Sequence, residues 1–422
     1  MSKKKRILLQ LSDDYNEPVR DPLWKNIYLT SGMKHLLSSP PMQKLHGIKQ
    51  LGPTYLVYPG ATHTRFSHSL GVFCLAKRII GKLVSFEDCL DLEEESVRSF
   101  LCAALLHDLG HFPYAHSLKE LPLVSHETLT ARMILEEPLK TLLRDQVQAD
   151  PYTAAAIVDE SLDDQGRGDI RFFRRILSGT LDPDKLDYLN RDAFYCGVPY
   201  GIQDTEFVLD RLKPYQEGIC ITSRGLPALE NILFSKYLMY RTVYWHKTVR
   251  VATAMIKHAV FAALREGVLR PEELYGLEDE EFHRSWETSS FRPFHLLGLV
   301  RSRRLYKAVL EIPFLPEKKE HRDLFDLRLR RQKELETADA LIQAGVPLDR
   351  EDCIIDVPEE ISFTLDIPVT EDGEELKSEH LTPFSGPTVE QFRRSLRYIR
   401  LMLPSKAAEA LDHPADMISW QL

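Results

Sequence analysis

Two stretches of the chain carry apolar residues at α-helical spacing, and the second ends in a polar pair that an apolar helix rarely tolerates. Residues 67–84 and 93–108 repeat apolar side chains every three to four positions. The second stretch ends in His107 and Asp108, and Gly110 follows. Burying an imidazole beside a carboxylate costs free energy unless a partner offsets the desolvation. The pattern therefore predicts a helical body with a polar centre at one helix end.

The composition is that of a folded, soluble protein. Of the 422 residues, 43% are hydrophobic and 28% are charged, and the formal net charge of -9 does not favour a general nucleic-acid-binding surface. The six cysteines form no C-x-x-C pair, which favours a reducing compartment over disulfides or thiolate zinc sites. No apolar run is long enough for a membrane span, and the basic N-terminus lacks a signal-peptide core. We therefore predict a cytoplasmic protein without a membrane anchor.

The pattern along the chain predicts a mainly α fold with a smaller α+β C-terminal part. We divide it into an N-terminal segment (1–60) that packs on the core, a catalytic core (61–290) and a C-terminal region (291–422). Apolar spacing predicts one long helix over 226–266. The alternation typical of strands appears at 354–355 and 361–367, and a final helix is expected over 389–402.

The His107-Asp108 pair suits a divalent cation. Imidazole nitrogen and carboxylate oxygen together bind borderline and hard metals such as iron, manganese, zinc or magnesium. An alternative is that Asp108 caps a neighbouring element and that His107 lies on the surface. Taken alone, the pair does not decide between these two interpretations.

A second polar block surrounds His68. Ser67 is a plausible N-cap, which would place His68 in the first turn of the helix. Arg65 lies just before this terminus, and a guanidinium beside a helix N-terminus is a ready receptor for phosphate. The alternative is an arginine paired with a surface carboxylate.

A third block begins at Asp182, which we expect to cap a helix over 183–195 because Pro183 follows it. On that helix Asp184 and Tyr188 share one face with either Asp187 or Asp192. Lys185 and Arg191 lie among these acids, a mixture that suits a metal, a phosphate and a sugar hydroxyl. The alternative is an ordinary solvated face.

The three blocks together resemble a known family. They read, in order, Arg65-Phe66-x-His68-Ser69-Leu70-Gly71, then His107-Asp108-Leu109-Gly110-His111-x-Pro113-x-x-His116, then Asp184-Lys185-x-Asp187-Tyr188-x-x-Arg191-Asp192. This arrangement resembles the HD-domain phosphohydrolases, and most of all the deoxynucleoside triphosphate triphosphohydrolases of the SAM-and-HD-domain type and their bacterial relatives. The resemblance extends from about Asp21 to Lys247. It implies a helical fold and hydrolysis of a dNTP to deoxynucleoside and triphosphate.

The resemblance also implies roles for individual residues. It implies that a divalent metal (iron, manganese, magnesium, zinc or nickel) is held by His68, His107, Asp108 and Asp184. It implies three catalytic histidines, of which the last would be the general acid for the leaving ribose oxygen: His111, His116 and His126. It implies phosphate contacts from Arg65, Lys185, Tyr188 and Lys236. It implies sugar or base contacts, among which Tyr244 would discourage a 2′-hydroxyl: Asp192, Tyr244, Gln50, Leu51 and Tyr240.

The sequence departs from the family pattern at several positions. Lys119 stands where the eukaryotic members have an aspartate, while Lys236 and Tyr240 replace an arginine and a histidine. Two of the three positions that would read a guanine activator are also changed, since Ser38 and His46 flank a retained Gln43. We therefore expect no guanine-specific activator site of that design and no separate SAM domain.

Three functions remain open from the sequence. The first is dNTP triphosphohydrolysis, and the second is hydrolysis of another nucleotide or phosphate ester, which the changes at Lys119, Lys236 and Tyr240 favour. The third is a non-catalytic protein that senses nucleotides or binds nucleic acid through arginine clusters at 301–304 and 328–331. The intact metal set argues against the third, so a nucleic-acid partner is not expected. The resemblance also implies a homodimer or homotetramer.

Overall fold

The structure is a computed structural model that describes residues 1–216, 218–286, 288–363, 367–376, 381–384 and 386–411. The chain forms two compact units, each assembled from separate segments. The first unit contains Met1–Met239, Pro271–Phe282 and Thr364–Ser385, and the second contains Tyr240–Arg270, His283–Phe363 and Gly386–Leu422. The domain boundaries at residues 60 and 290 stay a prediction. Within the described ranges, no helix has the length and apolar character needed to span a membrane.

Helices of all types make up most of the described chain, and α-helices are the largest part of them, which confirms the predicted mainly α fold. In chain order they are α1 (Lys3–Asp13), α2 (Ser31–Leu37), α3 (Pro40–Lys44), α4 (Arg65–Val84), α5 (Glu94–Leu106), α6 (His126–Leu135), α7 (Leu139–Thr141), α8 (Pro151–Val158), α9 (Gly168–Leu177), α10 (Pro183–Cys196), α11 (Thr205–Arg211), α12 (Leu226–Met239), α13 (Lys247–Arg265), α14 (Asp279–Trp286), α15 (His295–Arg301), α16 (Lys319–Asp323), α17 (Leu327–Gln343), α18 (Gly386–Leu396) and α19 (Ser405–Glu409).

The strands of the described residues form three small sheets. They are β1 (Glu17–Asp21), β2 (Lys25–Leu29), β3 (Leu212–Tyr215), β4 (Gly218–Thr222), β5 (Lys307–Pro313), β6 (Ile354–Asp356), β7 (Val369–Glu371), β8 (Glu374–Leu376) and β9 (Tyr398–Leu403). The first two form an antiparallel hairpin in which Val19 pairs with Ile27. A four-stranded sheet has the order β3-β4-β7-β8 with a parallel pair in its middle, and an antiparallel sheet has the order β5-β9-β6.

Two predicted helices have different ends in the structure. The helix predicted over 226–266 is interrupted, because α12 ends at Met239, a π-helical turn covers Tyr240–Tyr244, and α13 begins at Lys247 with His246 as its cap. Apolar spacing continues through a π turn because it changes the helical register by only one residue.

The predicted end of the final helix, at residue 402, was also wrong. The structure ends α18 at Leu396 and continues as β9, which lies between β5 and β6. A strand buried on both faces carries a continuous apolar run, which spacing alone does not distinguish from a buried helix. The strand at 354–355 is confirmed as part of β6. Residues 361–363 and 367 form no strand, while 364–366 lie outside the described residues.

The core of the first unit is a packed helical layer. Helix α4 packs against both α5 and α10, and its inward face is almost entirely apolar. Val72, Phe73 and Ile79 of α4 and Phe100 of α5 are fully buried. This packing brings together the start of α4, the end of α5 and the start of α10, which carry the three polar blocks.

Gly71 allows α4 and α10 to approach closely. A Cβ atom at this position would lie 1.8 Å from Oδ1 of Asp187 and 2.5 Å from Nη2 of Arg191. We expect Gly71→Ala to lower the free energy of unfolding by about 2 kcal/mol, because both side chains are buried and would have to move. Urea denaturation measures this change.

Gly81 in the same helix is a matched control. A Cβ atom there would meet only Leu11, at an ordinary contact distance of 3.8 Å. Alanine is a better helix former than glycine, so Gly81→Ala should stabilise the protein by about 0.5–1 kcal/mol. Equal free energies of unfolding for the two variants would contradict the close-approach explanation.

Candidate metal centre

Three predicted ligands from three helical segments converge. Nε2 of His68 lies 2.9 Å from Oδ1 of Asp184, and Nε2 of His107 lies 3.9 Å from the same oxygen. The ligand atoms of these three residues all lie within 4.8 Å of one another. Asp108 adjoins them, since its carboxylate oxygens lie 3.4 Å from Nε2 of His107 and 4.0 Å from Nε2 of His68. Three of the four predicted ligands therefore face one point, and Asp108 lies beside it.

The local backbone places these side chains differently from the prediction in one respect. Helix α4 begins at Arg65 with Thr64 as its N-cap, so Ser67 is not the cap and His68 lies one turn inside the helix. The hydroxyl of Ser67 donates instead to the carbonyl oxygen of Thr64 at 2.8 Å. Helix α5 ends at Leu106, and His107 is its C-cap.

Both histidine rings are oriented so that Nε2 faces the centre. Nδ1 of His107 donates to the carbonyl oxygen of Ala104 at 2.9 Å, and Nδ1 of His68 donates to Oδ2 of Asp187 at 2.8 Å. Nε2 of His107 is buried and has no hydrogen-bond partner among the described residues. An unsatisfied buried acceptor is costly, and a cation would satisfy it. Two imidazole nitrogens beside two carboxylates therefore fit a divalent metal ion.

Arg65 faces this centre and is not paired with a surface acid. Its Nη1 donates to Oδ2 of Asp108 at 2.7 Å, and both side chains are buried. Burial alone would raise the pKa of Asp108, but its contact with His111 and the charge of Arg65 hold it well below its usual value. Asp108 is therefore ionised, as a metal ligand must be.

The three predicted catalytic histidines form a cluster beside Asp108. Nδ1 of His111 lies 3.1 Å from Oδ1 of Asp108, and Nε2 of His111 lies 3.3 Å from Nε2 of His116. The rings of His111 and His126 are 3.9 Å apart between centroids, and His126 also contacts Glu127. Burial and the nearby Arg65 hold the pKa of His111 well below 6.5, so its ring is neutral at pH 7.

The predicted phosphate contacts of α10 and α12 are also close together. Lys185 donates to Asp182 and to the carbonyl oxygen of Gly179 at 2.9 Å. Helix α12 packs against α10, and the pKa of Lys236 is lowered to about 8 by burial and by the charge of Lys185. Tyr188 is half-buried, and Lys119 is exposed.

The predicted sugar and base contacts fall into two groups. Asp192 is buried, and its Oδ1 lies 2.8 Å from Nε2 of His63. The backbone N–H of Gln50 donates to the backbone carbonyl oxygen of His63 at 3.0 Å. Leu51, the next residue, is half-buried. Tyr240 and Tyr244 form the second group, in the second unit, and their ring centroids are 4.9 Å apart.

Several residues that adjoin the centre were not assigned a role from the sequence. Asp187 and Arg191 form a buried ion pair behind His68. Lys44 donates from Nζ to the carbonyl oxygens of Leu109 and His111, at 3.0 and 3.1 Å, and so fixes the loop after Asp108. The spacing of Asp187 and Arg191, four residues apart on one helix, was a visible signal. The sequence carried no comparable signal for Lys44.

Comparisons with known proteins show which family this chain is similar to. The HD domain model matches residues 65–166, and the model of an HD associated region matches residues 203–402. An uncharacterized protein of Methanocaldococcus jannaschii is 34% identical over 265 residues, which are 62% of this chain and 53% of that protein. The deoxynucleoside triphosphate triphosphohydrolase SAMHD1 homolog of Dictyostelium discoideum is 25% identical over 328 residues, which are 70% of this chain and 60% of that protein.

The fold is also similar to solved structures. The crystal structure of a hypothetical protein from Aquifex aeolicus superposes with a TM-score of 0.72 at 27% sequence identity, covering 93% of this chain and 97% of that chain. The chain spans little more than half the length of the curated relatives it matches. The HD domain match includes the first two polar blocks, and the third block, at residues 182–192, lies between the two matched segments. The chain belongs to the HD-domain superfamily.

Proposed function

We propose that this chain is a metal-dependent phosphohydrolase that converts dNTPs to deoxynucleosides and triphosphate. The observation that carries the proposal is the convergence of His68, His107 and Asp184 on one point beside Asp108, with the guanidinium of Arg65 against it. A cation site next to a buried arginine is suited to an anionic phosphate substrate. The similarity to the SAMHD1 homolog supports a nucleotide as that substrate.

The four proposed ligands would hold a divalent cation, and Arg65 would bind the substrate phosphate. A cation there supplies Lewis acidity, which neutralises charge on a phosphoryl oxygen and makes water a stronger acid. Arg65 is held in place by Asp108, and its Nε is buried without a partner among the described residues. Lys185 now donates to Asp182; it would neutralise negative charge on the phosphate chain once its ammonium group leaves Asp182 and binds the substrate.

The histidine cluster would handle the proton. In the proposed reaction water adds to the α-phosphorus, the bond from phosphorus to the ribose 5′-oxygen breaks, and that oxygen takes a proton from His126, which regains one as the attacking water is deprotonated. Burial lowers the pKa of His126, and the negative charge of a bound triphosphate would act in the opposite direction. Neutral His111 adjoins both His126 and His116 and could pass a proton between them.

Another phosphate ester is the second candidate substrate. It is favoured by Lys119, an exposed cation at a position where the related triphosphohydrolases have an aspartate. An added positive charge near the histidines would favour a ligand that carries negative charge there. The same metal and the same arginine would serve this reaction.

The product distinguishes these candidates. Metal-free protein is loaded separately with Mn²⁺, Fe²⁺ or Mg²⁺, incubated with dNTPs, NTPs, dNMPs and cyclic nucleotides, and the products are separated by ion-exchange chromatography. Free triphosphate with deoxynucleoside supports the proposal, while orthophosphate or a monophosphate as the first product supports the second candidate. Absence of turnover with every metal, from protein with an intact circular dichroism spectrum, would overturn both.

Tyr244 tests the preference for deoxyribose. If its ring excludes the 2′-hydroxyl, Tyr244→Ala should raise the kcat/KM for NTPs relative to dNTPs by at least about 10-fold, because a steric block worth 1–3 kcal/mol is removed. Tyr244→Phe keeps the ring and should leave the ratio unchanged. An unaltered ratio in the alanine variant would show that another residue selects the sugar.

A further inference from the structure

A buried carboxylate lies directly behind His68. Asp187 is fully buried and accepts four N–H groups from three side chains. Nδ1 of His68 donates to Oδ2 at 2.8 Å, and Nε and Nη2 of Arg191 donate at 2.8 and 2.9 Å. The fourth donor is the indole Nε1 of Trp24, which bonds Oδ1. Each oxygen of this carboxylate therefore accepts two hydrogen bonds.

Trp24 reaches this position from the N-terminal hairpin. It lies in the turn between β1 and β2, and Oδ1 of Asp21 accepts its backbone N–H at 2.8 Å and that of Leu23 at 2.9 Å. Oδ2 of Asp21 accepts Nη1 of Arg191 at 2.8 Å. The turn is thus fixed to α10 at two points, the carboxylate of Asp21 and the indole of Trp24.

The arrangement divides the two oxygens of Asp187 between different donors. Oδ1 receives Trp24 and Nη2 of Arg191, and Oδ2 receives His68 and Nε of Arg191. Without the indole donor, Oδ1 would keep one partner, and the carboxylate would be held against rotation away from His68 by Arg191 alone. A carboxylate behind a metal-binding histidine fixes its tautomer and ring orientation.

We propose that Trp24 is a positioning residue of the metal centre: its indole N–H holds Asp187 in the orientation that fixes His68 with Nε2 toward Asp184. The N-terminal hairpin would then support the centre from behind His68 without supplying a metal ligand. This inference rests on the proposed role of His68 as a ligand. It does not depend on which phosphate ester is the substrate.

Two substitutions at Trp24 separate the hydrogen bond from the bulk of the ring. Trp24→Phe removes the donor, and Trp24→His also reduces the ring but keeps an N–H. Isothermal titration of the metal-free full-length variants with Mn²⁺ gives the affinity. We expect a loss of about 10-fold for phenylalanine, the lower end of what such outer partners contribute, and about 3-fold or less for histidine, since its ring N–H can still reach a carboxylate.

A second readout does not require metal at all. In metal-free protein with ¹⁵N-labelled histidine, the ring signals of His68, assigned against His68→Gln, report the hydrogen bond from its Nδ1–H. Nδ1 lies 2.8 Å from Asp187 and Nε2 lies 2.9 Å from Asp184, so the metal-free ring carries a proton on both nitrogens, and the quantity measured is the rate at which Nδ1–H exchanges with solvent. The wild type should show slow exchange, and Trp24→Phe should show faster exchange. Tyr28→Phe in the same hairpin is the control, because the Tyr28 side chain is exposed; it should match the wild type in both measurements.

The outcomes separate this inference from the proposed function. Wild-type Mn²⁺ affinity together with unchanged exchange of the His68 Nδ1–H in Trp24→Phe would overturn the inference, whatever the protein hydrolyses. A loss of affinity and faster exchange would support it even if no nucleotide is turned over. Should Trp24→Phe fail to fold, the same two measurements on Trp24→His, with an affinity below one third of the wild type's and faster exchange, would also overturn it.

Discussion

His107→Ala is expected to lower kcat at least about 10³-fold and to reduce bound metal to well below one ion per chain. The substitution removes a ring nitrogen that faces Asp184 and Asp108 and that has no hydrogen-bond partner among the described residues. Loss of a metal ligand removes several kcal/mol of transition-state stabilisation, and each 1.36 kcal/mol is a tenfold change in rate. Elemental analysis and turnover of the preferred nucleotide measure the two effects.

The control for this prediction is another histidine of the same unit. His35 is exposed in the short helix α2, so His35→Ala should keep full activity and full metal content. Both variants should fold, because His107 is only partly buried and contributes one backbone contact through Nδ1. Normal turnover by a His107→Ala protein that has lost its metal would show that the reaction does not use this centre.

Arg191→Met is expected to lower the free energy of unfolding by about 3–5 kcal/mol, the range found when one partner of a buried ion pair is removed. Arg191 is fully buried and bonds two carboxylates, those of Asp187 and Asp21, at distances between 2.8 and 2.9 Å. Burial raises the pKa of Asp187, but Arg191 and His68 lower it to about 2. Without the guanidinium, two buried carboxylates would lose their counter-charge. Urea denaturation of the metal-free protein gives the change.

An exposed arginine pair provides the comparison. Arg144 bonds Asp145 at 2.7 Å on the surface, where both side chains are largely solvated. Surface pairs contribute little to stability, so Arg144→Met should change the free energy of unfolding by less than about 1 kcal/mol. Similar losses in the free energy of unfolding for the two variants would show that Arg191 does not stabilise the protein through its bonds to Asp187 and Asp21.

Local signals in the sequence predicted α10 well. Asp182 caps its start by accepting the N–H of Lys185, Pro183 is the first helical residue, and Gly197 at a positive φ ends the helix at Cys196. These residues act within one turn of the helix terminus, so their effect is visible in a short window. Membership in the HD superfamily was predicted equally well, because the order of three polar blocks along the chain does not depend on tertiary contacts.

Other features depend on residues far apart in sequence. Trp24 bonds Asp187 across 163 positions, and neither residue carries a local sign of the other. Strand β9 was predicted as part of a helix because its burial on both faces comes from its two neighbours in the sheet. The orientation of His68 likewise follows from Asp187 and not from a cap at Ser67. Such features require the packing of α4 against α10.

Anomalous X-ray diffraction from crystals grown with Mn²⁺ or Fe²⁺ tests the central claim most directly. We expect one strong anomalous peak per chain, about 2.0–2.3 Å from Nε2 of His68, Nε2 of His107 and carboxylate oxygens of Asp108 and Asp184. A peak at other residues, or no peak from protein that elemental analysis shows to contain stoichiometric metal, would contradict it.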